Sequence, residues 1–106
     1  MLAQIEDVSQ PRAVQRHLRR GLTKLVIIPA SKANGLRPGG MMQINRSLGF
    51  TVRSVHQYVD IEHAFKNERA GDFLHRASVE QAVTYWKHRV NSKEAQGAVV
   101  VYEVVQ

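Results

Sequence analysis

Early in the chain, apolar positions recur with the period of a helix. Val14 and Leu18 lie four residues apart among basic residues, which places both on one side of a helix. Pro11 suits a first helical turn, and Gly21 suits the position that follows a last turn. This pattern predicts a short helix over residues 12–20.

Two uninterrupted apolar stretches predict strands that are covered on both faces. Leu22 to Ile28 is too short for a buried helix, and its last three residues are β-branched. Ala98 to Val105 is nearly all valine, which suits a central strand. Two further strands are predicted at Met41 to Asn45 and at Phe50 to Val59. In the latter the apolar positions change parity, which indicates a bulge or a strand end.

Two more helices are predicted in the second half of the chain. Ser78 and Gln81 have the spacing of a capping box. Apolar residues then recur on one helical face, namely Val79, Ala82, Val83, Trp86 and Val90. These signals predict a helix from Ser78 to Val90. A shorter helix, capped by Asp60, is predicted to end before Gly71, with a continued strand as the alternative over so few residues.

The order of these elements and the composition predict one α+β domain. The chain has 106 residues, enough for a single core, and its 43% apolar and 23% charged residues are typical of a soluble globular protein. No apolar run approaches the roughly 18 residues of a membrane span. Acidic residues lie near the first methionine, where a signal peptide is basic and then apolar. We therefore expect a cytoplasmic protein with no membrane partner.

Basic residues outnumber acidic ones and are unevenly distributed. The chain has 15 Lys and Arg against 9 Asp and Glu, a net charge of +6, and no acidic residue lies between Asp7 and Asp60. The first predicted helix gathers four arginines within about a quarter of its circumference, namely Arg12, Arg16, Arg19 and Arg20. Such a stripe suits a polyanionic partner. A solvated helix face that serves solubility explains it equally well.

Further basic residues can join this stripe. Residues 30–40 contain two turn dipeptides, Asn34-Gly35 and Pro38-Gly39, and are predicted as a loop. If the loop folds back, it brings polar and basic side chains near the helix: Lys24, Lys32, Asn34 and Arg37. A second basic group ends the Trp86 helix, where the helix dipole favours cations without any ligand: Lys87, His88, Arg89 and Lys93.

Several short segments stand in the order that a known family shows. A helix ends in Leu18-Arg19-Arg20-Gly21, a strand begins near Thr23-Lys24, and a turn reads Leu36-Arg37-Pro38-Gly39-Gly40. A helix with Trp86 and the valine-rich strand complete the order. Over about residues 12–105 the chain therefore resembles the ASCH domains, which belong to the PUA-like group of small β-barrels. The resemblance implies a small mixed β-barrel with two to three flanking helices.

The resemblance also implies candidate residues for an activity. Some ASCH proteins are amidohydrolases that act on an acetylated cytidine through a lysine, a threonine and a glutamate, and others bind or cleave RNA. The positions available here are Lys24, Thr23, Glu68 and Glu62. Three departures put that activity in doubt. Threonine precedes lysine, residues 26–28 are apolar where the family has a further threonine and an arginine, and Gly40 replaces the usual turn aspartate.

Backbone geometry also weakens the catalytic interpretation. Neighbouring strand residues point to opposite faces, so Thr23 and Lys24 face one cleft only if the backbone bulges. A separation of six does not place Glu62 and Glu68 on one face of a helix. A solvated strand end and a solvated acidic helix remain the alternatives. The five histidines include no pair at i, i+4 spacing, so we expect no metal site and no cofactor.

The sequence thus predicts a nucleic-acid-binding domain, with RNA preferred to DNA, whose basic cleft lies beside the first helix and the 29–40 loop. The predicted contacts are Arg12, Arg16, Arg19, Arg20, Lys24, Lys32, Asn34 and Arg37. One alternative is a small hydrolase of the ASCH type, acting on a modified nucleoside or on RNA. Another is a phage or mobile-element interaction module whose basic face meets an acidic protein partner.

Overall fold

A single sheet with helices on both of its faces organises the chain. The computed structural model describes residues 5–8, 10–33, 35–46 and 48–106. In chain order, the elements within these ranges are β1 (Ile5–Val8), α1 (Arg12–Arg19), β2 (Leu25–Pro29), β3 (Met41–Ile44), β4 (Leu48–Tyr58), α2 (Ile61–Asn67), α3 (Ala70–Phe73), α4 (Val79–Arg89), α5 (Ser92–Ala95) and β5 (Val99–Val105). A 3₁₀ turn at Ala30–Lys32 follows β2.

The sheet is mixed and has the strand order β1-β3-β4-β5-β2. Four of its strands pair antiparallel, and β1 joins β3 in parallel. These four antiparallel strands curl into a half barrel. The predicted α+β class is confirmed, with a partial barrel whose described edges are β1 and β2. Of the helices in the described ranges, α1, α2 and α4 have seven residues or more, and α3 and α5 are single turns.

Strand alternation divides the core into two clusters, one on each face of the sheet. In β2, Val26 and Ile28 pack in a cluster that includes Val14 and Leu18 of α1. The intervening Leu25 and Ile27 belong to a second cluster, formed with α2, α3 and α4. Both faces of β2 are therefore covered, which explains why its sequence is apolar without interruption. The same holds for β5, which pairs with both β2 and β4.

The helix predicted from Ser78 to Val90 is confirmed as α4, but fewer of its residues are buried than predicted. The Ser78 hydroxyl accepts from the Gln81 amide, and the Gln81 side chain accepts from the Ser78 amide. Trp86 is buried, and its Nε1 donates to the carbonyl oxygen of Ile27 at 3.2 Å. Val79, in contrast, is 48% exposed. The predicted Asp60 cap is also present, since its carboxylate accepts from the His63 amide at 2.8 Å.

Other predicted boundaries differ from the structure. The strand predicted from Leu22 begins at Leu25, because the amides of Leu22 and Thr23 both donate to the carbonyl of His17 and hold the chain against the end of α1. The sequence predicted none of β1, α3 and α5. The bulge is confirmed as a register shift in β4 between Val52 and Ser54.

Candidate nucleic-acid interface

The basic stripe lies on the exposed side of α1. Val14 and Leu18 anchor the helix in the core, and the four arginines of the helix and its C-cap are exposed: Arg12, Arg16, Arg19 and Arg20. None of them is ion-paired with a carboxylate whose side chain the structure describes. The first turn of α1 contains no acidic residue. Their positive charges are therefore available to an anionic partner.

A polar anchor fixes the segment that leads into α1. The amide of Gln10 donates to Oδ1 of Asn45, and Nδ2 of Asn45 donates to the carbonyl of Gln10, both at 2.8 Å. The same Asn45 amide nitrogen donates to Oε1 of Gln15 at 2.8 Å. Asn45 has a φ of 50° in the turn between β3 and β4, a conformation that asparagine tolerates. This contact joins residues that are 35 positions apart, and sequence periodicity contained no signal for it.

A cleft of about 480 Å³ opens between the start of α1, the end of β2 and the end of α4. Apolar side chains, including Val14, Ile28 and Trp86, line its inner part. Lys32 and Arg89 lie on different walls of it. The cleft therefore joins an apolar interior to two cations, beside the same helix that carries the arginine stripe.

Both cations of the cleft are held by neighbouring side chains. Nζ of Lys32 lies 3.4 Å from a carboxylate oxygen of Glu94. The guanidinium carbon of Arg89 lies 4.6 Å from the centroid of the Tyr85 ring, a cation–π contact between residues one helical turn apart. In the sequence, the position of Arg89 near the end of a helix is explained by the helix dipole alone. The i, i+4 pairing of Tyr85 with Arg89 was the available signal for a more specific role.

The structure separates Lys24 from this cleft. Lys24 precedes β2 and Lys32 follows it, so a strand of about 17 Å lies between them. The side chain of Lys24 is 52% exposed, and its Nζ lies 3.9 Å from Glu103. Arg53 approaches the other oxygen of Glu103 at 3.6 Å. Lys24 thus belongs to a different group of charges from Lys32.

Thr23 lies outside the strand, and its hydroxyl is buried. The residue is 4% exposed, and its Oγ1 has no hydrogen-bond partner among the described residues. The sequence interpretation treated Thr23 and Lys24 as neighbours within a strand that face opposite sides. The structure also separates the two side chains, since Thr23 is buried beside the end of α1, where its amide donates to the His17 carbonyl, while Lys24 reaches solvent.

The 29–40 loop contributes only part of what was expected near α1. Lys32 lines the cleft, whereas Arg37 is exposed in a turn that β4 holds through a bond from the Gly39 amide to the Val52 carbonyl. Asn34 lies outside the described residues. A Cβ at Gly40 would come within 2.6 Å of the buried Leu36 side chain and 3.0 Å of the Arg37 carbonyl. A side chain at this position would require these neighbours to shift, so packing favours glycine here.

The two candidate glutamates have partners other than Lys24. Glu62 forms an ion pair with Lys87, which joins α2 to α4. Glu68 accepts a hydrogen bond from the Tyr58 hydroxyl at 2.5 Å, and the same carboxylate oxygen lies 3.3 Å from Nδ1 of His56. The side chain of Glu68 is 18% exposed. In the structure the candidate catalytic residues therefore belong to three separate charge groups.

Alkaline titration is expected to show a raised pKa for Tyr58. Burial, followed by the hydrogen bond to Glu68 and its negative charge, raises the pKa of Tyr58 to about 12. The folded state thus keeps this proton above the ordinary pKa of about 10. The contribution to stability is complete below about pH 10 and is lost as the pH rises through about 12. Phenolate absorbance measured against Tyr58→Phe reports the group, and Glu68→Gln should lower its pKa. Titration of Tyr58 at its ordinary value would contradict the contact.

His17 adds little charge to the basic side of α1 at neutral pH. Its ring lies 5.6 Å from that of His75, and its Nδ1 is buried without a hydrogen-bond partner among the described residues. Burial, followed by the charges of His75, Arg16 and Arg20, lowers the pKa of His17. The imidazole is therefore neutral at pH 7. The positive charge of this helix comes from its arginines.

The described residues show neither a metal-binding cluster nor a membrane-spanning helix. They contain no group of three or more histidine, aspartate and glutamate side chains that could hold a metal ion. No helix among them is long and apolar enough to cross a membrane.

Comparison with known proteins identifies the fold. The crystal structure of hypothetical protein PH0355 aligns with a TM-score of 0.82 and 14% sequence identity, over 95% of this chain and 97% of that chain. The solution structure of protein PF0455 from Pyrococcus furiosus aligns with a TM-score of 0.66 and 16% identity, over 97% and 96% of the two chains. No protein-family model matches the sequence, and no curated protein is significantly similar to it. At these identities the likeness extends to the fold alone.

Proposed function

We propose that this protein binds nucleic acid, RNA in preference to DNA, through the arginine stripe of α1 and the cleft beside it. The observation that carries the proposal is the set of four exposed arginines without carboxylate partners among the described side chains. The helix that carries them is anchored in the core on its other side. The resemblance to ASCH domains supports RNA as the partner. The fold by itself supports no choice, because one fold serves many functions.

The geometry of the stripe suits a phosphate backbone. From Arg12 to Arg20 the helix rises by about 12 Å at 1.5 Å per residue. A stacked strand advances about 3.4 Å per phosphate, so this length spans about three phosphates. Arginine suits such contacts because its planar guanidinium donates two parallel hydrogen bonds to one phosphate.

A salt titration tests this function. Fluorescence anisotropy with a labelled single-stranded RNA should give an affinity that falls with salt, with a log–log slope of about −2 for three phosphate contacts on a single strand. The DNA strand of the same sequence should bind more weakly. No measurable affinity at about 50 mM salt, where phosphate contacts are strong, would refute the proposal. A protein that purifies free of nucleic acid and binds only acidic proteins would support the interaction-module alternative instead.

Binding is better supported than catalysis. The hydrolase alternative requires a lysine and a glutamate at one reacting group. Lys24 is paired with Glu103, whereas Glu68 contacts Tyr58 and His56. We therefore expect the labelled RNA to be recovered intact after the titration. Cleavage of the RNA, or deacetylation of acetylcytidine, that is abolished by Lys24→Ala would favour the hydrolase.

A further inference from the structure

We propose that the cleft between α1 and α4 binds the terminal phosphate of an RNA strand, held between Lys32 and Arg89. The inference rests on the proposed function and deepens it, because it gives the cleft a role separate from that of the arginine stripe. The ligand chemistry is a phosphate monoester attached to a nucleoside. Either an RNA end or a free nucleotide can supply this group.

The charges around the cleft suit a terminal phosphate. Lys32 on the 3₁₀ turn and Arg89 on α4 approach the cleft from different elements. Glu94 neutralises part of the Lys32 charge, so the three groups together leave about one positive charge. A phosphate monoester carries nearly two negative charges at neutral pH, more than the single charge of an internal phosphodiester. The cleft thus presents two cations on different elements, and the second negative charge of the terminal group strengthens its attraction to them.

The shape of the cleft suits the end of a strand. Its lining comes from β1, α1, β2, the 3₁₀ turn, α3 and α4, so structural elements surround it. Ile27 and Trp86 close its inner part, where the indole nitrogen is already bonded to the Ile27 carbonyl. Its volume of about 480 Å³ lies in the range of small-molecule pockets. A recess of this size that several elements border suits the end of a strand better than a strand that passes through.

The cleft also contains polar groups that can contact a nucleotide. The Arg89 guanidinium lies over the Tyr85 ring, a contact that restrains it, and a planar guanidinium is also a group on which a base can stack. Tyr85 also lines the cleft, and its hydroxyl oxygen is buried without a hydrogen-bond partner among the described residues. The start of α1 borders the same space, and Pro11 provides no capping side chain. The N-terminal end of the α1 dipole is positive and adds to the attraction for an anion.

Matched RNA oligomers test the inference. A short single-stranded RNA is prepared with a 5′-phosphate, with a 3′-phosphate or with hydroxyls at both ends, and each form is titrated against the protein. We expect one phosphorylated form to bind about tenfold more tightly than the hydroxyl form, as for a charged hydrogen-bonded group. Arg89→Gln should abolish this preference. Glu94→Gln, which retains an oxygen for the Asn91 cap, should increase it.

The controls separate failure of the inference from failure of the proposed function. Lys66→Gln removes one exposed cation on α2 and should leave the preference for a phosphorylated end intact. Equal affinity for all three RNA forms, with tight salt-dependent binding, would overturn the inference and leave RNA binding in place. Binding of nucleoside monophosphate that depends on Arg89, without RNA binding, would support the monoester site and overturn RNA as its source. Circular dichroism confirms that each variant is folded.

Discussion

Replacing both Arg16 and Arg19 by glutamate is expected to weaken RNA binding by about 100-fold at about 50 mM salt, because two phosphate contacts are lost and like charges replace them. Both side chains are exposed on α1, opposite the buried Val14 and Leu18. The slope of log affinity against log salt should become shallower by about 1.4, since each phosphate contact on a single strand contributes about 0.7. Anisotropy titrations over a range of salt concentrations measure both quantities.

The matched control for this double variant changes the same net charge elsewhere. Lys66→Glu with Arg69→Glu alters two exposed cations at the end of α2 and just after it, and α2 packs in the second core cluster whereas α1 packs in the first. Its RNA affinity should fall by much less, because only long-range repulsion changes. If both double variants lose affinity equally, net charge alone explains binding and the α1 stripe is not the contact surface. The variant of the stripe should unfold at a slightly lower midpoint than the wild type, because glutamates replace cations in the last turn of α1.

Replacing Trp86 by alanine is expected to lower the free energy of unfolding by about 3–5 kcal/mol. The side chain is 3% exposed and packs in the second core cluster, against residues of the helices and of the sheet. Alanine would leave a cavity and would also remove the donor to the Ile27 carbonyl. A domain of this kind has a total stability of about 5–15 kcal/mol, so the loss is a large part of it. Chemical denaturation measures it.

Two further variants of α4 show which part of the loss comes from packing. Val79→Ala changes an apolar residue on the same helix that is 48% exposed, and the change in stability should stay within about 0.5 kcal/mol. Trp86→Phe keeps an aromatic ring and removes the indole donor, with an expected cost of about 1–2 kcal/mol. If Trp86→Ala costs no more than Val79→Ala, the tryptophan is not part of the packed core. A large cost for Trp86→Phe would instead assign most of the stability to the hydrogen bond.

The two helices around the cleft show how far local patterns reach. The period of Val14 and Leu18 predicted α1 within one residue of its observed end, and the capping box at Ser78 predicted the start of α4. The same pattern placed Val79 on the buried face, where it is not. A helical face is read from spacing, but its buried width depends on the elements that pack against it.

The charged residues show where local patterns end. Lys24, Lys32 and Arg37 were grouped because they lie close together in the sequence. The structure places Lys24 beside Glu103 at one end of β2 and Lys32 beside Glu94 at the other. Arg89 is 57 positions from Lys32 in the chain, yet both line one cleft. Separation along the chain does not indicate which charged residues share a site. An extended strand separates residues that are close in sequence, and helices from distant parts of the chain pack at the same edge of the sheet.

By itself, the sequence determined the α+β class, the apolar strands, the α4 cap and the one-sided charge of α1. These features depend on the period of 3.6 or 2 residues and on capping groups three residues apart, which are local properties of the chain. Only the tertiary structure decided that β1 pairs with β3, that Asn45 anchors the start of α1 and that Lys32 and Arg89 line one cleft. Those contacts join segments far apart in sequence. Their geometry follows from how the half barrel closes around its core, and no local pattern records it.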